Sequence, residues 1–117
     1  MRKLLPIALL FVCTLAWAAP QQVDLVPLKR VATYGRNTVT SGTEEAVAAD
    51  TPVSSCCVKA LHGNTNNVYV GGNTSVTTSN GYVLDAGEAL CLDVDSPADV
   101  YIDVDTTGEG VSYICVR

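Results

Sequence analysis

From residue 31 to the C-terminus, apolar and polar residues alternate over short runs, the period-two signature of strands with one buried face. The runs are 31–34, 38–41, 45–48, 56–61, 68–70, 82–84, 89–94, 100–105 and 111–116. Turn chemistry separates many of them: Gly63-Asn64, Gly71-Gly72-Asn73, Asn80-Gly81, Ala86-Gly87-Glu88, Ser96-Pro97 and Thr107-Gly108-Glu109-Gly110. Helix formers gather only at 43–50, a stretch short enough to be an edge strand or a loop. This spacing predicts an all-β fold: a small antiparallel β-sandwich of jelly-roll or immunoglobulin-like type over residues 31–117. The last two runs, joined by 106–110, are expected to pair as a β-hairpin.

Residues 1–30 follow another pattern. Arg2 and Lys3 precede an apolar run from Leu4 to Leu15, and Ala16-Trp17-Ala18 fits the small-x-small rule for signal cleavage. Residues 1–18 therefore read as a secretory signal peptide; the alternative is an uncleaved anchor, for which the run is short. Cys13 lacks the preceding small residues of a lipoprotein signal. Residues 19–30 are proline-flanked and carry Val23, Leu25, Val26 and Leu28, which predicts an extended N-terminal arm. Such an arm is a mobile terminus, a strand on its own domain, or a strand given to a neighbour's open sheet edge.

Cleavage after Ala18 leaves Cys56, Cys57, Cys91 and Cys115, an even set in a chain sent to an oxidising compartment, so two disulfides are expected. A four-thiolate zinc site is the rival, but C-x-x-C knuckles are missing. Strand alternation orders the three possible pairings. Cys56 shares a face with Val58 and Ala60, which looks inward; Cys57 shares one with Lys59, which looks outward, as Cys91 does with Asp93 and Asp95. That favours Cys57–Cys91 outside and Cys56–Cys115 inside. A vicinal Cys56–Cys57 link is disfavoured by its strained geometry.

At 117 residues the chain holds one small domain. Seven Lys and Arg against twelve Asp and Glu, with a sequence pI near 4.5, exclude a nucleic-acid binder of the usual basic kind. The processed chain keeps five basic and twelve acidic residues, and eight carboxylates fall between Asp85 and Glu109 without a cation. A single histidine, His62, leaves little material for imidazole catalysis and reads as a turn residue beside Gly63. No nucleophile-elbow motif is present, and no cofactor is called for. Asp93, Asp95, Asp103 and Asp105 are weak calcium candidates, two on the outer face of each of two runs; no EF-hand-type loop supports them. Asn73-Thr74-Ser75 is a formal glycosylation sequon. The five tyrosines, Tyr34, Tyr69, Tyr82, Tyr101 and Tyr113, would make a sugar platform only if several shared one exposed face.

The series Cys57-Val58-Lys59-Ala60-Leu61, Asn67-Val68-Tyr69-Val70-Gly71-Gly72, Val76-Thr77-Thr78-Ser79-Asn80-Gly81-Tyr82-Val83-Leu84, Ala86-Gly87-Glu88 with Leu92-Asp93-Val94-Asp95, and Val100-Tyr101 leading to Gly110-Val111-Ser112-Tyr113 resembles a small β domain of bacteriophage virion proteins. Head fibres, capsid decoration proteins and tail-fibre modules carry that domain. The resemblance implies a non-catalytic structural module. The signal peptide and the four remaining cysteines depart from it and point to a secreted, oxidised relative. The expected function is a subunit of an extracellular filament, or a decoration or fibre protein of a virion-like assembly. Its partner is another copy of itself or a larger protein assembly, with no nucleic acid, and no membrane after signal removal. The alternative is a secreted carbohydrate- or surface-binding module.

Overall fold

The computed structural model describes residues 29–117. The expected signal peptide (1–18) and the arm positions Val23, Leu25, Val26 and Leu28 lie outside the described residues.

Eight strands form two four-stranded antiparallel sheets. In chain order they are β1 (Val31–Thr38), β2 (Glu45–Ala46), β3 (Ser55–Ala60), β4 (Val68–Gly71), β5 (Tyr82–Leu84), β6 (Ala89–Leu92), β7 (Tyr101–Val104) and β8 (Gly110–Val116). The first sheet has the order β1-β8-β3-β6 and the second β2-β7-β4-β5. First pairs with eighth, second with seventh, third with sixth and fourth with fifth, as though the chain were doubled back at the β4–β5 link and then rolled. Two further ladders, β8 with β3 and β7 with β4, close the sheets. This is jelly-roll connectivity, which decides between the two sandwich types.

Three expectations about strands are corrected. The last two runs do not form a hairpin, because β7 lies in the second sheet beside β2 while β8 fills the centre of the first between β1 and β3. Turn residues 105–109 carry the chain from one sheet to the other, with Gly108 at a φ of 91°. Runs 31–34 and 38–41 are one strand ending at Thr38. Gly35 is no break: a Cβ there would sit 3.0 Å from the Tyr113 hydroxyl, so the missing side chain leaves room for that ring. The run 89–94 stops pairing at Leu92, which leaves Asp93 and Asp95 beyond the strand.

The core lies between the sheets and is mostly valine. Val58 and Ala60 from β3, Val68 and Val70 from β4, Leu84 from β5, Ile102 and Val104 from β7 and Val111 from β8 are buried, joined by Val39, Val47 and Val100 from the connections. β-Branched side chains suit a pleated surface, and each fully buried aliphatic side chain contributes about 1.5–3 kcal/mol. The β4–β5 connection adds Val76, also buried. Its side chain fits because Gly71 is bare: a Cβ there would come 2.7 Å from that of Val76.

At one end of the sandwich, polar side chains supplement backbone pairing. Asn64 donates through Nδ2 to the Gly110 carbonyl at 2.8 Å and accepts from the Gly110 N–H at 3.3 Å. Glu109 accepts from the Thr65 hydroxyl at 2.6 Å and from the backbone N–H groups of Thr65 and Asn66. Both residues are buried, and these bonds satisfy them.

Candidate assembly surfaces

The disulfides rivet β3 to both of its neighbours. Cys56 is bonded to Cys115 on β8 and Cys57 to Cys91 on β6, and each pair occupies directly opposed register positions. The first bridge faces the core, where both cysteines are buried; the second lies on the outer face, where Cys91 is exposed. These are the pairs that alternation along β3 favours.

The outer bridge ends a row that crosses the whole first sheet, Tyr34–Ile114–Cys57–Cys91. Beside it runs a second row, Arg36–Ser112–Lys59–Ala89. Apart from Cys91, they floor a shallow depression of about 510 Å³. Tyr34 is 75% exposed and Ile114 47%, and Val31 at the start of β1 is 54% exposed. Arg30 and Arg117 exchange backbone hydrogen bonds at 2.9 Å, so Lys29, Arg30 and Arg117 gather at the corner where the chain enters β1. All five basic residues of the described chain thus belong to β1, β3 and the ends of β1 and β8.

The β5–β6 side carries the reverse charge. β5 and β6 are the free edges there, with one hydrogen-bonded neighbour each. Between them the sandwich stands open as a groove of about 430 Å³, lined by Val70, Tyr82, Leu90, Leu92, Val94 and Val100. Leu90, Leu92 and Val94 pack against the core yet remain only partly buried. Asp99 lies at the rim, and Asp93 and Asp95, both exposed, alternate with Val94 in the chain leaving β6. Tyr82 and Val83, 61% and 45% exposed, are the remaining large hydrophobics left in solvent among the described residues. The other flank, where β1 meets β2, is tied by the Asn37 amide donating to the Ala46 carbonyl at 2.9 Å.

The calcium candidates are dispersed. Asp103 is a correction: it is 3% exposed, because the turn after β1 caps it and the Gly42 N–H donates to its carboxylate at 3.0 Å. Asp105 accepts from the Tyr69 hydroxyl at 2.9 Å, and this bond to a carboxylate raises the Tyr69 pKa. Asp93 and Asp95 follow the edge strand of the other sheet. Among the described residues no three His, Cys, Asp or Glu side chains are grouped as a metal site, and no helix is long and apolar enough to cross a membrane.

The tyrosines are divided as well: Tyr34 and Tyr113 lie on the first sheet, Tyr69, Tyr82 and Tyr101 on the second. Asn73 is exposed, and its side-chain oxygen accepts from the Ser75 N–H at 2.8 Å. His62 stands in a turn over Gly87, where a Cβ would come 2.7 Å from the ring. Sequence reasoning missed Asn64 and Glu109, whose partners are more than 40 residues away. It also missed the groove, because Leu90 and Leu92 read as ordinary inward positions. No family model, curated protein or solved structure matches this chain.

Proposed function

We propose that this protein is a non-catalytic, secreted structural protein: a subunit of an extracellular filament, or a decoration or fibre protein of a virion-like particle. Its copies join head to tail. One observation carries the reading: the exposed large hydrophobics of the described residues form two groups, one on the outer face and entry corner of the first sheet among the basic residues, the other at the β5–β6 groove with carboxylates at its rim. Val31, Tyr34 and Ile114 accompany the basic residues, whereas Tyr82 lines the groove whose rim and flank carry Asp93, Asp95 and Asp99. Surfaces of this kind are complementary to each other and not to themselves, so they form a heterologous contact that repeats instead of closing a two-fold dimer. Jelly rolls serve virus shells and lectins alike, so the argument rests on these surfaces and not on the fold. Division of the exposed tyrosines between two sheets disfavours the alternative of a carbohydrate-binding module.

Sedimentation velocity and electron microscopy on the oxidised, exported protein test the proposal. Concentration-dependent head-to-tail species are expected, weakening as salt shortens the Debye length from about 10 Å at 0.1 M to about 3 Å at 1 M. A protein that stays monomeric at every concentration and salt overturns it.

A further inference from the structure

We infer that the groove between β5 and β6 is the seat of the N-terminal segment 23–28 of a second copy. The inference rests on the head-to-tail reading and names the segment that makes the contact.

Three observations converge. First, the groove has the chemistry of a strand acceptor. Its walls are Leu90, Leu92, Val94, Val70 and Val100, and both flanking strands have a free backbone edge. An extended peptide laid there gains main-chain hydrogen bonds from the edge and side-chain burial from the groove. The segment Val23-Asp24-Leu25-Val26-Pro27-Leu28 is suited to it: in extended chain Val23 and Leu25 point to one side and Asp24 to the other. Pro27 lacks an N–H but is tolerated on an edge strand.

Second, reach disfavours the chain's own groove. The described chain begins at Lys29 on the β1 edge, while β6 lies three strand spacings away across the first sheet. Three spacings amount to about 14 Å, and an extended residue covers at most about 3.6 Å. Crossing the sheet therefore consumes about four residues, which are Leu28, Pro27, Val26 and Leu25. Three of the four apolar residues of the segment would be spent before arriving, leaving Val23 among polar Asp24, Gln22 and Gln21 at the groove. A second copy placed beside the groove demands no such crossing.

Third, charge fits the docking. The segment leads directly into the corner formed by Lys29, Arg30 and Arg117, and the receiving groove carries Asp99 at its rim with Asp93 and Asp95 alongside. Seating the segment brings the donor's basic corner toward the acceptor's carboxylates.

The experiment places a photo-crosslinking amino acid at Leu25 of the exported full chain, mixes nitrogen-15-labelled and unlabelled protein, irradiates, and maps the products by mass spectrometry. Expected are products of mixed isotope composition joining residue 25 to peptides containing Leu90, Leu92 or Val94, or Tyr82. A second variant, Val23→Ser with Leu25→Ser, is expected to raise the concentration for half-assembly about tenfold or more without changing the thermal midpoint. Crosslinks within one chain, crosslinks elsewhere on the partner, or undiminished assembly of the serine variant overturn this inference while leaving head-to-tail assembly standing. Wild-type protein that never associates overturns both.

Discussion

Cys56 and Cys57 are consecutive, yet their sulfurs leave β3 on opposite faces and bind opposite neighbours, Cys115 on β8 and Cys91 on β6. The inner bridge spans 59 residues of sequence and the outer 34. On the chain-entropy account, loops of these lengths are worth about 4 kcal/mol each, with engineered cases usually delivering less. Exposure separates them. Cys91 is reachable by a reductant in the folded state, whereas Cys56 and Cys115 are reached only on opening. Mild reduction followed by alkylation and peptide mapping is expected to label Cys57 and Cys91 first, with the inner pair labelled only near unfolding. Replacing Cys57 and Cys91 by alanine is expected to cost about 2–4 kcal/mol and to preserve the fold.

Gly110 is the most tightly enclosed glycine of the described residues. A Cβ there would fall 1.9 Å from the Asn37 carbonyl oxygen, in the ladder that joins β8 to β1. Backbone cannot yield as a flexible side chain can, so the strands must part. Gly110→Ala is expected to destabilise by about 3 kcal/mol or more, read as a lower denaturant midpoint. Gly63 has nothing within 4 Å of the same atom, and Gly63→Ala is expected to stay within about 0.5 kcal/mol of wild type.

Glu109 links pH to the closed end of the sandwich. The hydroxyl of Thr65, then its backbone N–H, then that of Asn66 donate to the carboxylate and lower its pKa against the opposing effect of burial. A folded-state pKa below the unfolded one contributes stability that is complete above the ordinary glutamate value of about 4.3 and is lost as pH falls through the depressed value. Glu109→Gln keeps the shape and removes the titration. It is expected to be less stable than wild type at neutral pH, with the gap narrowing as both are acidified below about pH 4 in denaturant titrations.

Local pattern revealed the strands, because a half-buried strand writes its burial into every second residue: Cys56, Val58 and Ala60 are buried while Lys59 is exposed. The same alternation placed Cys57 and Cys91 outside. It could not supply the partners of each strand. A turn such as Thr107-Gly108-Glu109 has the same chemistry whether it closes a hairpin or bridges two sheets, and only the competition of β1, β3 and β7 for β8 decides. Asp103 misled for a related reason. Its face was read from position alone, but the turn that covers it lies about 60 residues earlier in the chain. The groove and the exposed patches were the least legible features, since Leu92 and Ile102 look alike in sequence although one borders an open groove and the other is fully buried.

Tyr34 and Ile114 face each other across the β1–β8 ladder and stand in solvent beside Arg36 and Lys59. Such a pair adds little to the stability of an isolated domain, because most of the Tyr34 surface and about half of that of Ile114 is wet both folded and unfolded. Its serine replacements are therefore expected to shift folding stability by no more than about 0.5 kcal/mol. In a head-to-tail polymer the pair is covered, and burying apolar area contributes about 25 cal/mol per Å². Tyr34→Ser with Ile114→Ser is accordingly expected to leave the thermal midpoint unchanged while raising the concentration for half-assembly by about tenfold. Charge gives an independent handle. Lys59→Glu is expected to weaken assembly at low salt and much less at high salt, because screening removes the contribution the lysine made. Light scattering over a salt series separates the two: the serine pair lowers the curve at every salt concentration, and the charge reversal changes its slope. Equal loss at every salt concentration for both variants would mean that the basic side of the sandwich makes no electrostatic contact with its neighbour.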